Sequence, residues 1–177
     1  SAFVKTNTLQ TLLKLEVPAT ELKSLHRDEV SNVKFEIDPF PPCEFHSESR
    51  YVLEPIPFSV RVMSLPDLFA GKMHAVLARG WISRVKGRDW YDLIWFVRSG
   101  TSLNLSHLEA RLKQSGHLPA EEALNAERFR ESLRERISQV DFKQAAEDVR
   151  PFVTNAGALQ NWSKELFFSL IERIRIE

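Results

Sequence analysis

Few cysteines and the lack of long apolar runs limit what this chain can be. Its 177 residues include one cysteine, Cys43, which excludes an internal disulfide and a thiolate metal cluster. No stretch approaches the roughly 18 apolar residues of a membrane-spanning helix, and the N-terminus lacks the pattern of an export signal. The sequence has no phosphate-cradling glycine-rich loop and no histidine pair at metal-ligand spacing. We therefore expect a cytoplasmic protein with no membrane partner, no P-loop and no zinc site.

Charge is balanced overall but unevenly distributed along the chain. The 24 basic and 24 acidic residues give a net charge of zero, so bulk charge does not predict non-specific nucleic-acid binding. A hydrophobic content of 43%, with twelve Phe and four Trp, is enough to bury a core in about one domain. Between Lys72 and Arg98, six basic residues accompany two acidic ones, which predicts a local positive patch.

The N-terminal part of the chain carries strand patterns. Apolar and polar residues alternate over Leu13–Val17, over Val33–Ile37 and over Phe58–Val62. Five of the nine prolines lie within Pro39–Pro57, so we predict a long surface loop there. Together these segments predict about three antiparallel strands with one apolar face, which the following helices can cover.

Two helices joined by a basic loop form the centre of the sequence. Ser64 is a start signal for the first helix, and Gly100 is a stop signal for the second. A turn of about 100° per residue places Lys72 inside an apolar stripe, and it places Asp89 on the apolar face of the second helix with Asp92 on its flank. The stripe around the lysine consists of Leu65, Leu68 and Val76. An ammonium in apolar surroundings needs an anion, so we predict that Lys72 pairs with these carboxylates.

The chain is predicted to be helical beyond Gly100. Start and stop signals give helices at His107–Ser115 after Ser106, from Asn125 to about Gln139, at Phe142–Arg150 after Asp141, and from about Leu159 to Arg175. The sequence thus predicts an α+β protein. Residues 1–100 form a partial α+β core, and residues 101–177 form a helical C-terminal region packed on it.

The core helices resemble those of a known family. The stretches LFAGKMHAVLARG and VKGRDWYDLIWFV, preceded by KFEID, resemble the AbiEii/AbiGii nucleotidyltransferase-like toxins of type IV toxin–antitoxin and phage-exclusion systems, from about Lys5 to Leu108. That family is similar to the DNA polymerase β superfamily, so the resemblance implies a partial antiparallel nucleotidyltransferase-like sheet packed on helices. It also implies a nucleoside triphosphate substrate, Mg²⁺, a tRNA or protein acceptor and a cognate antitoxin. The family's Gly-Ser turn and Asp-x-Asp pair have no match in this sequence, and the match starts after the point where they would lie.

The resemblance assigns roles to individual residues. Lys72 matches the helix lysine, and Asp89 and Asp92 match the downstream acidic pair, so these three are the candidate catalytic residues. The candidate nucleotide-binding residues are Lys72, Arg84, Lys86 and Arg88. The candidate metal ligands are Glu36 and Asp38, which lie two residues apart on a predicted strand and so project together. Lys72 is suited to neutralising the triphosphate, while Asp89 either orients this lysine or activates the attacking hydroxyl.

Each assignment has a structural alternative. The Lys72–Asp89 pair can be a salt bridge that only joins two helices, and Glu36 and Asp38 can be the solvent face of a strand. The aromatic residues of the core helices are expected in the core rather than stacked on bases; they are Trp81, Trp90, Tyr91 and Trp95. For the whole chain, three functions stay open at this point: a transferase whose Asp-x-Asp half is supplied elsewhere, a non-catalytic relative that binds nucleotide, RNA or protein, and a structural interaction domain.

Overall fold

The computed structural model describes residues 38, 40–54, 56–80, 85–154 and 156–177. The chain divides into two compact units, Ser1–Pro41 and Pro42–Glu177. The second unit is an α+β structure in which a two-stranded antiparallel sheet is followed by six α-helices, and this confirms the predicted fold class. The strands predicted at 13–17 and 33–37 lie outside the described residues, and the predicted domain boundary at residue 100 stays a prediction. None of the described helices has the length and apolar character needed to cross a bilayer.

The sheet is a hairpin of strands β1 (Ser47–Val52) and β2 (Phe58–Met63). Strand β2 confirms the strand predicted from alternation at 58–62. Strand β1 lies where a long loop was predicted, and that prediction was wrong for these six residues, because the prolines of this region fall on either side of β1 and none falls within it. The predicted apolar face is only partly buried, since Phe58 is 51% exposed and β1 is exposed along its whole length.

Two helices with clear end signals follow the hairpin. Helix α1 (Leu65–Ala78) begins after Ser64, whose hydroxyl accepts a hydrogen bond from the Asp67 amide. Helix α2 (Gly87–Ser99) ends at Gly100, which has a left-handed φ of 70° that glycine adopts without a steric penalty. Both boundaries confirm the predicted start and stop signals.

The remaining four helices differ from prediction mainly at their ends. They are α3 (Leu105–Gln114), α4 (Ala126–Gln139), α5 (Phe142–Val149) and α6 (Lys164–Ile171). The predicted caps Asn125 and Asp141 are confirmed for α4 and α5, whereas α3 is capped by Asn104 and not by Ser106. The C-terminal helix is shorter than predicted at both ends. Helix α6 begins after its cap Ser163, with a 3-10 turn at Ala156–Leu159 before it, and it ends at Ile171 rather than at Arg175.

Helix α2 connects the first helix to the C-terminal helices. It packs against α1 on one side and against α5 on the other. Its fully buried Trp90 makes edge contacts with the rings of Phe142 and Phe167, which stack on each other with centroids 4.1 Å apart. The first turn of α2 therefore lies next to both neighbouring helices, and it is here that the candidate residues of the second helix lie.

A buried carboxylate ties the hairpin to the helices. Asp67 in the first turn of α1 is fully buried and accepts hydrogen bonds from the His46 amide at 2.7 Å, the Ser64 hydroxyl at 2.6 Å and the Asn104 side-chain amide at 2.7 Å. These donors come from the start of the hairpin, the cap of α1 and the cap of α3. One side chain thus fixes three segments relative to one another.

Candidate functional site

The structure brings the three candidate catalytic residues into one ion-pair network. Lys72 Nζ lies 2.6 Å from Asp92 Oδ2 and 3.4 Å from Asp89 Oδ1. Arg79 Nη1 lies 2.5 Å from Asp89 Oδ2, so Asp89 is shared by two cations. The predicted pairing of the lysine with the downstream carboxylates is confirmed. Arg79 was missed, although its spacing from Lys72 of about two helical turns places both on one face of α1.

The four residues of this network differ in exposure. The Asp89 side chain is 6% exposed, whereas Lys72, Asp92 and Arg79 are 38%, 35% and 45% exposed. A carboxylate as buried as Asp89 needs close partners to offset the loss of its hydration, and it has two cations. The other three side chains remain open to a ligand.

The position of Lys72 relative to the core corrects the sequence analysis. Two members of the stripe that was expected to enclose it, Leu65 and Leu68, are 39% and 44% exposed. The buried face of α1 is centred elsewhere and consists of Phe69, Ala70, Met73 and Val76. Periodicity correctly found an apolar stripe, but it could not tell which flank of that stripe the neighbouring helices cover. Lys72 lies at the edge of the core.

The environment of Lys72 keeps it charged. Burial disfavours the ammonium, but the hydrogen bond and the charge of Asp92, together with Asp89, outweigh burial and raise the pKa of Lys72 above its usual value. The lysine is therefore protonated at neutral pH and is available to neutralise an anion.

These residues line a cleft of about 400 Å³, a size typical of small-molecule sites. Its charged residues are Lys72, Arg79, Lys86, Arg88, Asp89 and Asp92, and its other residues are Tyr91, Val149, Phe152 and Val153. Four cations against two carboxylates leave an excess of two positive charges. The candidate nucleotide-binding residues Lys72, Lys86 and Arg88 thus lie together, while Arg84 lies outside the described residues.

The cleft has two chemically different walls, with the first turn of α2 between them. We call the side formed by Lys72 of α1 and by Arg79, the residue that follows α1, the charged wall. We call the side formed by Val149, Phe152 and Val153, at the junction of α5 with the 3-10 turn Arg150–Phe152, the apolar wall. The apolar wall was not predicted from the sequence, because no local pattern shows that the end of α5 meets the start of α2.

Aromatic side chains are exposed on the apolar side of the cleft. Phe152 is 63% exposed, with the Arg88 guanidinium carbon 4.8 Å from its ring centroid, and Tyr91 is 42% exposed. The expectation that the aromatic residues of the core helices lie in the core holds for Trp90 and is wrong for Tyr91 and for Trp95, which is 48% exposed. Trp81 lies outside the described residues.

A glycine sets the separation of α2 and α5. The Gly87 amide donates to Asp148 Oδ2 at 3.0 Å, and a Cβ added at this position would lie 1.9 Å from the Ala145 carbonyl oxygen. The two helices therefore meet backbone to backbone at the start of α2. This contact places the apolar wall next to Arg88 and Asp89.

The described side chains do not by themselves fit a Mg²⁺ site. Asp38 is exposed and its Oδ1 accepts a hydrogen bond from the Phe40 amide at 3.1 Å, while Glu36 lies outside the described residues. Across the part of the chain that the structure describes, no group of three or more His, Cys, Asp or Glu side chains is arranged to hold a metal ion. The carboxylates of Asp89 and Asp92 already form ion pairs with the side chains of Arg79 and Lys72. Metal binding by Glu36 and Asp38 stays a prediction.

Comparison with known families identifies the class of protein. The fold and the cleft define an α+β protein with a mixed-charge cleft at the start of its second helix. The chain belongs to the AbiEii nucleotidyltransferase toxin family of type IV toxin–antitoxin systems, because the model of the family described as "Nucleotidyl transferase AbiEii toxin, Type IV TA system" matches residues 10–168. Comparisons with curated proteins and with solved structures give no match. The family match extends beyond Leu108, so the resemblance seen in the sequence was too short at its C-terminal end.

Proposed function

We propose that the cleft binds the triphosphate of a nucleoside triphosphate and takes part in transferring the nucleotide to a tRNA or protein acceptor. The observation that carries this proposal is the convergence of Lys72, Asp89 and Asp92 in one open cleft with an excess of positive charge. Family membership supports the reaction class. The arrangement suits a polyanionic ligand better than a purely structural salt bridge, which would not require two further cations at the cleft.

In the proposed step, an acceptor hydroxyl oxygen forms a bond to the α-phosphorus of the nucleotide. The bond from that phosphorus to the bridging oxygen breaks, pyrophosphate leaves with the electron pair, and the hydroxyl proton passes to a base. Lys72, held protonated, is suited to neutralising the charge that develops on the phosphates. Asp89 acts as a positioning residue for Lys72 and Arg79, and Asp92 is the carboxylate that an acceptor hydroxyl can reach.

The family suggests the remaining participants. We expect Mg²⁺ to be required, with Glu36 and Asp38 as its ligands, and a separate antitoxin to counter the activity. A second function, nucleotide binding without transfer, is favoured by the ion pairs that neutralise two of the four cations in the cleft. Incubation with an α-phosphate-labelled nucleotide, once with a tRNA pool and once with a protein extract, separates the two, because only the transferase leaves label on an acceptor.

Lys72→Met is expected to weaken nucleoside triphosphate binding by about tenfold or more while the melting temperature changes little. The substitution keeps most of the packing of the stem and removes the charge, and Asp89 keeps its partner Arg79. An ion pair as exposed as that of Lys72 is expected to contribute at most about 1 kcal/mol to stability. Isothermal titration calorimetry of the full chain with each of the four ribonucleoside triphosphates measures the first effect, and thermal unfolding measures the second.

Lys143→Met is the matched control for this test, since Lys143 is an exposed lysine of α5 that does not line the cleft. Its triphosphate binding is expected to equal that of the unmodified chain. Equal binding by the Lys72→Met and Lys143→Met variants would contradict the proposed role of Lys72. Loss of folding in Lys72→Met alone would mean that the lysine mainly braces the two helices.

The metal prediction has its own test. If Glu36 and Asp38 hold Mg²⁺, triphosphate binding measured in Mg²⁺ is stronger than in a chelator, and the Glu36→Ala/Asp38→Ala double variant loses that difference. The charged wall is unchanged in this variant, so the metal-independent part of binding is expected to persist. A double variant that responds to Mg²⁺ like the unmodified chain would show that the ion is held elsewhere.

A further inference from the structure

The apolar wall is not explained by binding of a triphosphate. Phosphates are recognised by the cations of the cleft, yet Val149, Phe152 and Val153 also line it, and Phe152 is 63% exposed. A single exposed aromatic ring is common on protein surfaces, but this one lies in a cleft beside cations, where a flat ligand group can stack on it. This part of the cleft therefore offers a surface for a ligand group other than a phosphate.

We propose that the apolar wall is the binding site of the nucleobase, with Phe152 as its stacking platform. This inference rests on the proposed function, and it adds the part of the nucleotide that the charged wall cannot recognise. A nucleotide has a polyanionic end and a flat aromatic end, and the cleft offers a cationic side and an apolar, aromatic side across one turn of helix. The match between the two ends and the two walls is what selects a nucleotide over inorganic phosphate.

Arg88 links the two walls. Its guanidinium carbon lies 4.8 Å from the centroid of the Phe152 ring, which is a cation–π contact. This contact occupies one face of the ring and holds it at the cleft, while the high exposure of the residue leaves room for a base on the other face. The same guanidinium keeps a positive charge between the base and the phosphates.

Tyr91 adds a second aromatic ring to the same cleft. It lies one turn after Arg88 on α2, lines the same cleft and is 42% exposed. A base in this part of the cleft would contact mainly aromatic and aliphatic surface, because the other residues of the apolar wall are valines. The Tyr91 hydroxyl can both donate and accept a hydrogen bond, so it does not require one particular base. Stacking of this kind tolerates all four bases. The site is therefore expected to select for the presence of a base more than for its identity.

The test compares a ligand that has a base with one that does not. The full chain is titrated by calorimetry with ATP, with CTP and with inorganic tripolyphosphate, in the unmodified form and as Phe152→Ala. We expect the unmodified chain to bind both nucleotides more tightly than tripolyphosphate. In Phe152→Ala the affinity for the nucleotides is expected to fall about tenfold, as is typical for loss of base stacking, while the affinity for tripolyphosphate is unchanged.

Two further variants separate stacking from general effects. Phe152→Trp keeps a flat ring and is expected to retain nucleotide affinity. Trp95→Ala removes an aromatic residue of similar exposure from α2 that does not line the cleft, and it is expected to bind all three ligands normally. Thermal unfolding of each variant verifies that the fold is intact.

Each other outcome overturns the proposal in a recognisable way. If the unmodified chain binds tripolyphosphate as tightly as nucleotides, or if Phe152→Ala leaves nucleotide binding unchanged, the base site is wrong and the triphosphate site stands. If Phe152→Ala weakens all three ligands equally, Phe152 supports the charged wall and does not contact a base. If the unmodified chain binds none of the three, the proposed function fails together with the base site.

Discussion

Gly87→Ala is expected to lower the free energy of unfolding by at least about 3 kcal/mol. A Cβ at this position would lie 1.9 Å from the Ala145 carbonyl oxygen and 2.8 Å from its carbon. These are backbone atoms of α5, so a side-chain rotation cannot relieve the overlap and the two helices must separate. Separation also stretches the hydrogen bond from the Gly87 amide to Asp148. Urea unfolding followed by circular dichroism measures the loss.

Gly71→Ala is the matched control for this substitution. Gly71 lies inside α1, and a Cβ added there meets no other atom within 4 Å. Because alanine has a higher helix propensity than glycine, this variant is expected to gain up to about 1 kcal/mol. The two changes are chemically identical, so a similar effect from both would mean that the close approach of α2 and α5 does not constrain the fold.

Asp67→Ala is expected to cost about 3–5 kcal/mol at neutral pH. The substitution leaves three donors without their acceptor, namely the His46 amide, the Ser64 hydroxyl and the Asn104 side-chain amide. It also loosens the attachment of the hairpin to α1 and α3. Asp141→Ala is a suitable control, since Asp141 caps α5 at an exposed position and its loss is expected to cost about 1 kcal/mol.

The contribution of Asp67 is expected to depend on pH. Burial raises the pKa of Asp67, but its hydrogen bonds from Ser64, His46 and Asn104 outweigh burial and lower the pKa below its usual value. A carboxyl whose pKa is lowered by folding stabilises the protein at a pH above its unfolded pKa of about 3.9, and this stabilisation is lost as the pH falls through the lowered value.

The difference in unfolding free energy between the unmodified chain and Asp67→Asn therefore should narrow below about pH 4. Urea unfolding at pH 7 and at pH 3 makes the comparison. A difference that is the same at both values would mean that folding does not lower the pKa of Asp67.

Local signals predicted the boundaries of the helices where a side chain and its own helix decide them. Ser64, Asn125, Asp141 and Gly100 act through contacts within a few residues, and all four were predicted correctly. The start of α3 was not, because Asn104 is selected as the cap partly by its contact with Asp67, a residue 37 positions away. Strand β1 was obscured by the prolines around it.

The residues of the candidate site also fall into two groups: those that the sequence predicted and those that depend on packing between distant segments. Helical periodicity and the family resemblance predicted that Lys72 meets Asp89 and Asp92, since these residues lie on two consecutive helices. Phe152 could not be predicted, because it reaches the cleft only through the packing of α5 on α2. Such a contact depends on Gly87, and a glycine in a sequence does not indicate which backbone will approach it.

The backbone contact at Gly87 has a consequence for how relatives of this protein can diverge. Where helices are spaced by side chains, each exchange of a large residue for a small one shifts the helices and changes the shape of any groove between them. Here the separation of α2 and α5 is set by main-chain atoms that every sequence shares. Mutations can therefore accumulate in the aromatic core between these helices without moving the apolar wall relative to α2, as long as this one position remains glycine.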